Sequence, residues 1–318
     1  MHSAPLRRSL AVLPLLLAVS LTACSPSGGG GGGDGEGEPA VGKVPVMLET
    51  KDVELPLNAY DATGEEQASL SRAQQELTRQ CMARFGFDYV TTPPAEAPRT
   101  GNRYLFGVVD AQEAARYGYQ NPTASESPQR PARAPMSKAE ERVLFGEEDL
   151  DVGTMPMNQQ EAERRQSSAP KVNGEALPVG GCGREAYLKL YAPQSDAVDI
   201  MFVFNLKSEA ESRTKADSRV RKNDQEWSAC MKDAGYQVKD PMEAPSELGF
   251  EGATLSSAAA VAAATADVAC KKKVNLVGVR YAVTTAYQKR LIDKHAQTLD
   301  LARRQQEERL KLAAGLLT

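Results

Sequence analysis

Few residues in this chain have the types and spacing that support chemistry. The 318 residues include five cysteines, two histidines and one tryptophan. Zinc needs three or four Cys or His ligands, and neither a Cys-x-x-Cys nor a His-x-x-x-His spacing occurs, so no metal and no cofactor is expected. A Ser-His-Asp or Cys-His triad would have to use His295, because His2 falls in an N-terminal leader. No Gly-x-Ser-x-Gly elbow accompanies His295, and its place on the apolar side of a helical pattern indicates a structural role. Gly180-Gly181-Cys182-Gly183 carries neither the Walker pattern nor the dinucleotide fingerprint of a phosphate cradle. The acidic run Glu147, Glu148, Asp149 and Asp151 lacks the spaced oxygens of a calcium loop. Catalysis by a carboxylate pair stays open, since 42 acidic residues always supply some pair at a suitable separation. Lys271-Lys272-Lys273 reads as a solvated turn, with contact to lipid phosphates as the alternative.

The N-terminus is the most specific stretch. Arg7 and Arg8 precede an apolar run from Leu10 to Ser20, too short to span a bilayer, and Leu21-Thr22-Ala23-Cys24 follows at once. This resembles a bacterial lipoprotein signal peptide with its lipobox, which has an aliphatic residue, two small residues and then Cys. The resemblance implies that residues 1–23 are removed and that Cys24 becomes the acylated N-terminus. The chain would then be held on the cell membrane, facing outside the cytoplasm. Losing Arg7 and Arg8 and no acid changes the formal charge from −4 to −6, which argues against a nucleic-acid partner.

With Cys24 lipidated, Cys81, Cys182, Cys230 and Cys270 form an even set in an oxidising compartment, and two disulfides are expected. Four cysteines allow three pairings, and spacing does not choose among them. A repeat does bear on the choice. Cys81-Met82-x-x-x-Gly86-Phe87 recurs as Cys230-Met231-x-x-x-Gly235-Tyr236, and each copy is followed by loops, a further cysteine and more helix. An internal duplication therefore pairs Cys81 with Cys182 and Cys230 with Cys270. The pair of repeats gives the body a likeness to helical lipoproteins of Gram-positive cell envelopes.

The elements that must hold these residues are mainly α-helical. Residues 24–58 read as a Gly-rich tether containing Gly28 to Gly33, with one or two short strands between Val44 and Leu57. Residues 59–206 form a first helical half with a Pro-rich insertion at 120–136. Residues 207–318 form a second half ending in a long helix, Asn275 to Ala314. Thr63-x-x-Glu66, Ser137-x-x-Glu140 and Ser208-x-x-Glu211 are capping boxes, Asp110 caps a helix that ends at Gly118, and Tyr104 to Val109 reads as a strand. Residues 165–181 read as loop, and Ile200 to Phe204 fits either a strand or a buried helix. Leu70, Ala73, Leu77, Cys81 and Phe85 step by three and four along one helix face. Trp227 reads as core packing over a disulfide, and the charged end near residue 310 as projecting into solvent or meeting a partner helix. The expectation is a disulfide-stapled, lipid-anchored interaction module whose partner is an envelope protein or cell-wall polymer. A cell-wall hydrolase with carboxylate catalysis is the alternative.

Overall fold

In the computed structural model the described residues are 37–51, 53–92, 104–122, 135–147, 153, 155–165 and 169–318. Residues 1–23, expected to be a leader, Cys24, Gly28 to Gly33, most of the Pro-rich insertion and the acidic residues 148–151 lie outside them. The elements are α1 (Gly64–Arg84), α2 (Ala111–Tyr117), α3 (Lys138–Phe145), α4 (Gln159–Arg165), β1 (Lys171–Val172), β2 (Glu175–Ala176), α5 (Gly181–Tyr191), α6 (Phe202–Ala216), α7 (Ser218–Asp233), α8 (Ala244–Glu247), α9 (Ala258–Lys273), α10 (Leu276–Lys294) and α11 (Ala296–Leu316). The fold is mainly α, and Glu38–Thr318 form one compact unit.

Helix starts follow local chemistry. The Thr63 and Ser137 hydroxyls accept from the N–H groups of Glu66 and Glu140, whose carboxylates accept from the cap N–H groups in return. Asp110 accepts from the N–H groups of Gln112 and Glu113 at the start of α2. Each such cap contributes about 1 kcal/mol.

The two repeats are the same helix stop. The Phe87 N–H donates to the Met82 carbonyl at 3.1 Å and the Gly86 N–H to Ala83 at 3.0 Å; Tyr236 donates to Met231 at 2.9 Å and Gly235 to Lys232 at 3.0 Å. Both glycines have left-handed backbone, φ +79° at Gly86 and +95° at Gly235. This is the paired-bond C-terminal motif in which the residue after the glycine folds back onto the last turn. Met82 and Met231 are buried beneath it. Disulfides join Cys81 to Cys182 and Cys230 to Cys270, the pairing that the duplicated order of elements gives. Each bridge sits in its own apolar cluster, one with Met82, Phe85, Leu144 and Leu177, the other with Trp227, Met231, Val238 and Leu276.

Helices cross between the two halves, and the 206/207 boundary falls inside α6. α11 packs on α1 and α5, and α2 packs on α9. Leu70, Ala73 and Leu77 of α1 meet Ala186 and Leu190 of α5 and Ala313 of α11. The end of α11 therefore meets a helix of its own chain instead of projecting into solvent. The expected single helix over residues 275–314 is two helices, broken at His295 (φ −112°, ψ 19°). No Gly or Pro marks the break. It redirects the chain so that Leu299 enters the cluster of Leu57, Val283 and Leu291 while Ala313 reaches α1.

Other expectations change for similar reasons. Among the described residues between Val44 and Leu57 there is no strand; Pro56–Tyr60 is a 3-10 turn with Leu57 fully buried. The tether also ends earlier than residue 58, because Glu38 already docks. Its carboxylate accepts from the Ser218 N–H and hydroxyl at 2.6 and 2.7 Å, Arg219 donates to the Pro39 carbonyl, and Asn275 exchanges hydrogen bonds with Pro45 and Met47. The Leu57 N–H then donates to the buried Gln288 side chain at 2.9 Å. Residues 38–51 and 53–58 thus form a strap across α7 and α10. Tyr104 to Val109 is a turn leading into α2, not a strand. Ser208 lies within α6, and the break falls at Asp217, whose side chain caps α7. Of Ile200 to Phe204, the first two residues are a turn and Phe202 to Phe204 open α6, so the stretch is not a strand.

The stretch read as loop around residue 172 holds the β1–β2 hairpin, turned by Asn173 (φ +52°) and Gly174 (φ +88°). Asn173 also donates from Nδ2 to the Phe85 carbonyl at 2.7 Å, covering the end of α1. Lys271 to Lys273 are the last turn of α9 rather than a solvated turn, and Lys271 is buried.

Candidate functional site

An open surface that mixes apolar groups with charges of both signs lies where α5 ends. Pro193 stops α5, since it has no N–H to continue the helix, and residues 192–201 loop back over α11. One side chain pins that loop. Gln305 accepts from the Val198 N–H at 2.8 Å through Oε1 and donates to the Asp196 carbonyl at 3.0 Å through Nε2. The gap left between the end of α5, the loop and α11 is a groove of about 300 Å³, near the lower end of the range for small-molecule sites. Pro193, Ala197, Leu301 and Leu312 give it apolar walls, and Arg304, Arg309, Asp196 and Glu308 supply charge of both signs.

Arg309 is its most distinctive group. The guanidinium stands 5.7 Å from the centre of the Tyr191 ring, within cation–π range. Its Nη2 lies 3.5 Å from the carbonyls of Tyr191 and Val198, longer than an ordinary N–H···O bond. Burial holds the guanidinium below the usual arginine range, and burial raises the Tyr191 hydroxyl above its ordinary value. Tyr191 in turn stacks obliquely on Tyr187 at 5.2 Å, with Arg184 over the Tyr187 ring.

Of the stretches singled out from sequence, only the charged end of the last helix lines this groove, through Arg304, Gln305, Glu308 and Arg309. The cystine pairs lie in two separate buried clusters. The His295 ring packs edge-on against Phe202 at 5.6 Å, a structural contact. Gly180 and Gly181 form no open cradle: a Cβ on Gly181 would stand 2.5 Å from the Leu144 carbonyl oxygen of α3, and one on Gly180 would stand 2.9 Å from the Arg184 side chain. Trp227 is fully buried and donates from Nε1 to Asp267 at 2.9 Å. Lys271 reaches the same carboxylate at 2.9 Å and the Val108 carbonyl at 3.1 Å.

Two carboxyls are held above the ordinary carboxylate range by burial, Asp267 against the pull of Lys271 and Trp227, and Asp224 against that of Arg280. Both are ion-paired, Asp224 with Arg280 between α7 and α10 and Asp267 with Lys271 one turn along α9. Near the first disulfide, burial pushes the Glu185 carboxyl up, but its bonds to Arg84 and Lys189 outweigh this and hold it below its ordinary value. Among the described residues no group of three or more His, Cys, Asp or Glu side chains is placed to hold a metal ion. No described helix is long and apolar enough to cross a membrane.

The charged end of the last helix was visible in sequence, but the groove was not, since residues 190–197 and 301–312 meet through the packing of α11 on α5. The hairpin did have one, the Asn-Gly pair at 173–174. No family model, curated protein or solved structure matches the chain.

Proposed function

We propose that this chain is a lipid-anchored lipoprotein facing outside the cytoplasm, and that its helical body is an interaction module of the cell envelope. The anchor is the acylated Cys24. The partner, an envelope protein or cell-wall polymer, is held at the end of the body where α5, the 192–201 loop and α11 meet. The observation that carries this reading is the groove there: Leu312 is 41 % exposed on its wall, and Arg309 carries no ion pair to a carboxylate among the described residues. Two buried disulfides suit an oxidising compartment, and the lipobox supplies the address. Asp224 and Asp267 face Arg280 and Lys271 inside the helical packing, which favours binding over carboxylate catalysis.

Cell fractionation of the wild type and Cys24→Ala, followed by protease treatment of intact cells with the wall removed, tests the reading. Wild-type protein is expected in the membrane fraction and open to protease, with Cys24→Ala released. A Cys24→Ala protein that stays membrane-bound, or a wild type that is protected, would contradict it. A photo-crosslinker at Leu312 should then capture an envelope component, and one at exposed Lys272 should capture much less.

A further inference from the structure

We propose that the groove between α5 and α11 holds the free C-terminal carboxylate of a peptide. Arg309 is the partner of the anion, and Leu301 and Leu312 receive the last apolar side chain. This rests on the reading of the body as a binding module.

Arg309 differs from the other basic groups of the groove. Lys189 is tied to Glu185 and Arg304 is exposed, whereas Arg309 is half-buried and among the described residues its contacts are two carbonyls at 3.5 Å and the face of Tyr191. Its planar fork of N–H donors is therefore largely unspent, and a carboxylate is the group that such a fork receives with two parallel bonds. A half-buried guanidinium gains more from an anion than an exposed one does, because water competes less for both.

The rest of the lining selects among anions. With Lys189 neutralised by Glu185, the groove carries two cations, Arg304 and Arg309, and two anions, Asp196 and Glu308. A phosphate would find the two carboxylates unfavourable. A peptide end satisfies both signs, since its carboxylate meets Arg309 while its backbone N–H groups are donors for Asp196 or Glu308. The apolar wall then takes a side chain of leucine size, and the volume suits two or three residues.

The test uses the full chain with its lipid anchor in detergent micelles, titrated calorimetrically with acetyl-Ala-Leu as the free acid, the same peptide as its C-terminal amide, and inorganic phosphate. The acid should bind, and the amide should bind at least about tenfold more weakly, the loss expected for one hydrogen-bonded charge. Arg309→Gln should reduce affinity for the acid by a similar factor. Leu312→Glu, a change on an exposed wall that keeps α11 helical, should do the same by repulsion.

Equal binding of acid and amide would overturn the proposal, as would an unchanged affinity in Arg309→Gln, or phosphate displacing the peptide at equal concentration. If Arg309→Gln loses its helical circular dichroism, the acid–amide comparison and Leu312→Glu still decide. Absence of peptide binding, with membrane attachment and crosslinking at Leu312 intact, would overturn this ligand and leave the binding module standing. Loss of both would overturn the module.

Discussion

The carbonyl oxygen of Pro45 lies directly over Gly278 of α10. A Cβ at position 278 would stand 2.0 Å from it, closer than any side chain tolerates, so the glycine is what allows the strap to lie on the helix. Gly278→Ala should lift the strap and lower stability by about 2 kcal/mol, the scale of overpacking a close contact. The gain in helix propensity from Gly to Ala, about 1 kcal/mol, acts the other way and is smaller. Urea unfolding measures the balance. A variant as stable as the wild type would show that residues 38–51 are not held against α10.

The pair Lys271–Asp267 is almost wholly removed from solvent, with side-chain exposures of 2 % and 0 %. Lys271→Met leaves a buried carboxylate without its cation and should cost about 3–5 kcal/mol. Adding Asp267→Asn removes the orphaned charge while keeping an acceptor for the Trp227 N–H, so the double variant should recover part of that loss. If the double variant is less stable than Lys271→Met alone, the pair is not coupled as described.

Glu185 predicts an acid limb of stability. Its folded-state pKa is depressed below the ordinary value of 4.5, so its contribution is fully present above that value and is lost as pH falls through the lower folded value. Glu185→Gln should flatten the stability–pH curve below about pH 4.5 and leave its shape unchanged nearer neutrality. Denaturant midpoints measured across the acid range test this, and an unaltered acid slope would count against the Arg84–Glu185–Lys189 cluster.

Deleting residues 300–318 removes Ala313 and the half-buried Leu310 and Leu316 from the stripe of Leu70, Ala73 and Leu77. A fully buried leucine contributes roughly 1.5–3 kcal/mol and a half-buried one about half of that, so with Ala313 the loss is on the order of 3 kcal/mol. The truncated chain should melt well below the full one. An unchanged melting temperature would mean that the α11 end does not contribute to the core.

What was legible in sequence divides along the length scale of the contacts. The caps at Thr63, Asp110 and Ser137, and the stops at Gly86 and Gly235, depend on bonds within six residues, and those were readable. The Ser208 capping-box pattern misled because neighbouring residues of α6 already hold it in mid-helix. Contacts across the chain left no local trace. Lys271 binds a carbonyl 163 residues away, the Leu57 N–H finds Gln288 at a separation of 231, and nothing in Lys294-His295-Ala296 marks a helix break. The candidate groove belongs mostly to this second class: the charged end of the last helix could be read, but Arg309 becomes distinctive only when Tyr191 and Val198 lie beside it.

The most direct measurement for the account as a whole is mass spectrometry of the mature N-terminal peptide, purified from the membrane fraction. The lipobox reading predicts a peptide that begins at Cys24 and carries acyl chains on that residue. A membrane-derived peptide that begins elsewhere, or begins at Cys24 without lipid, would contradict the anchor on which the proposed function depends.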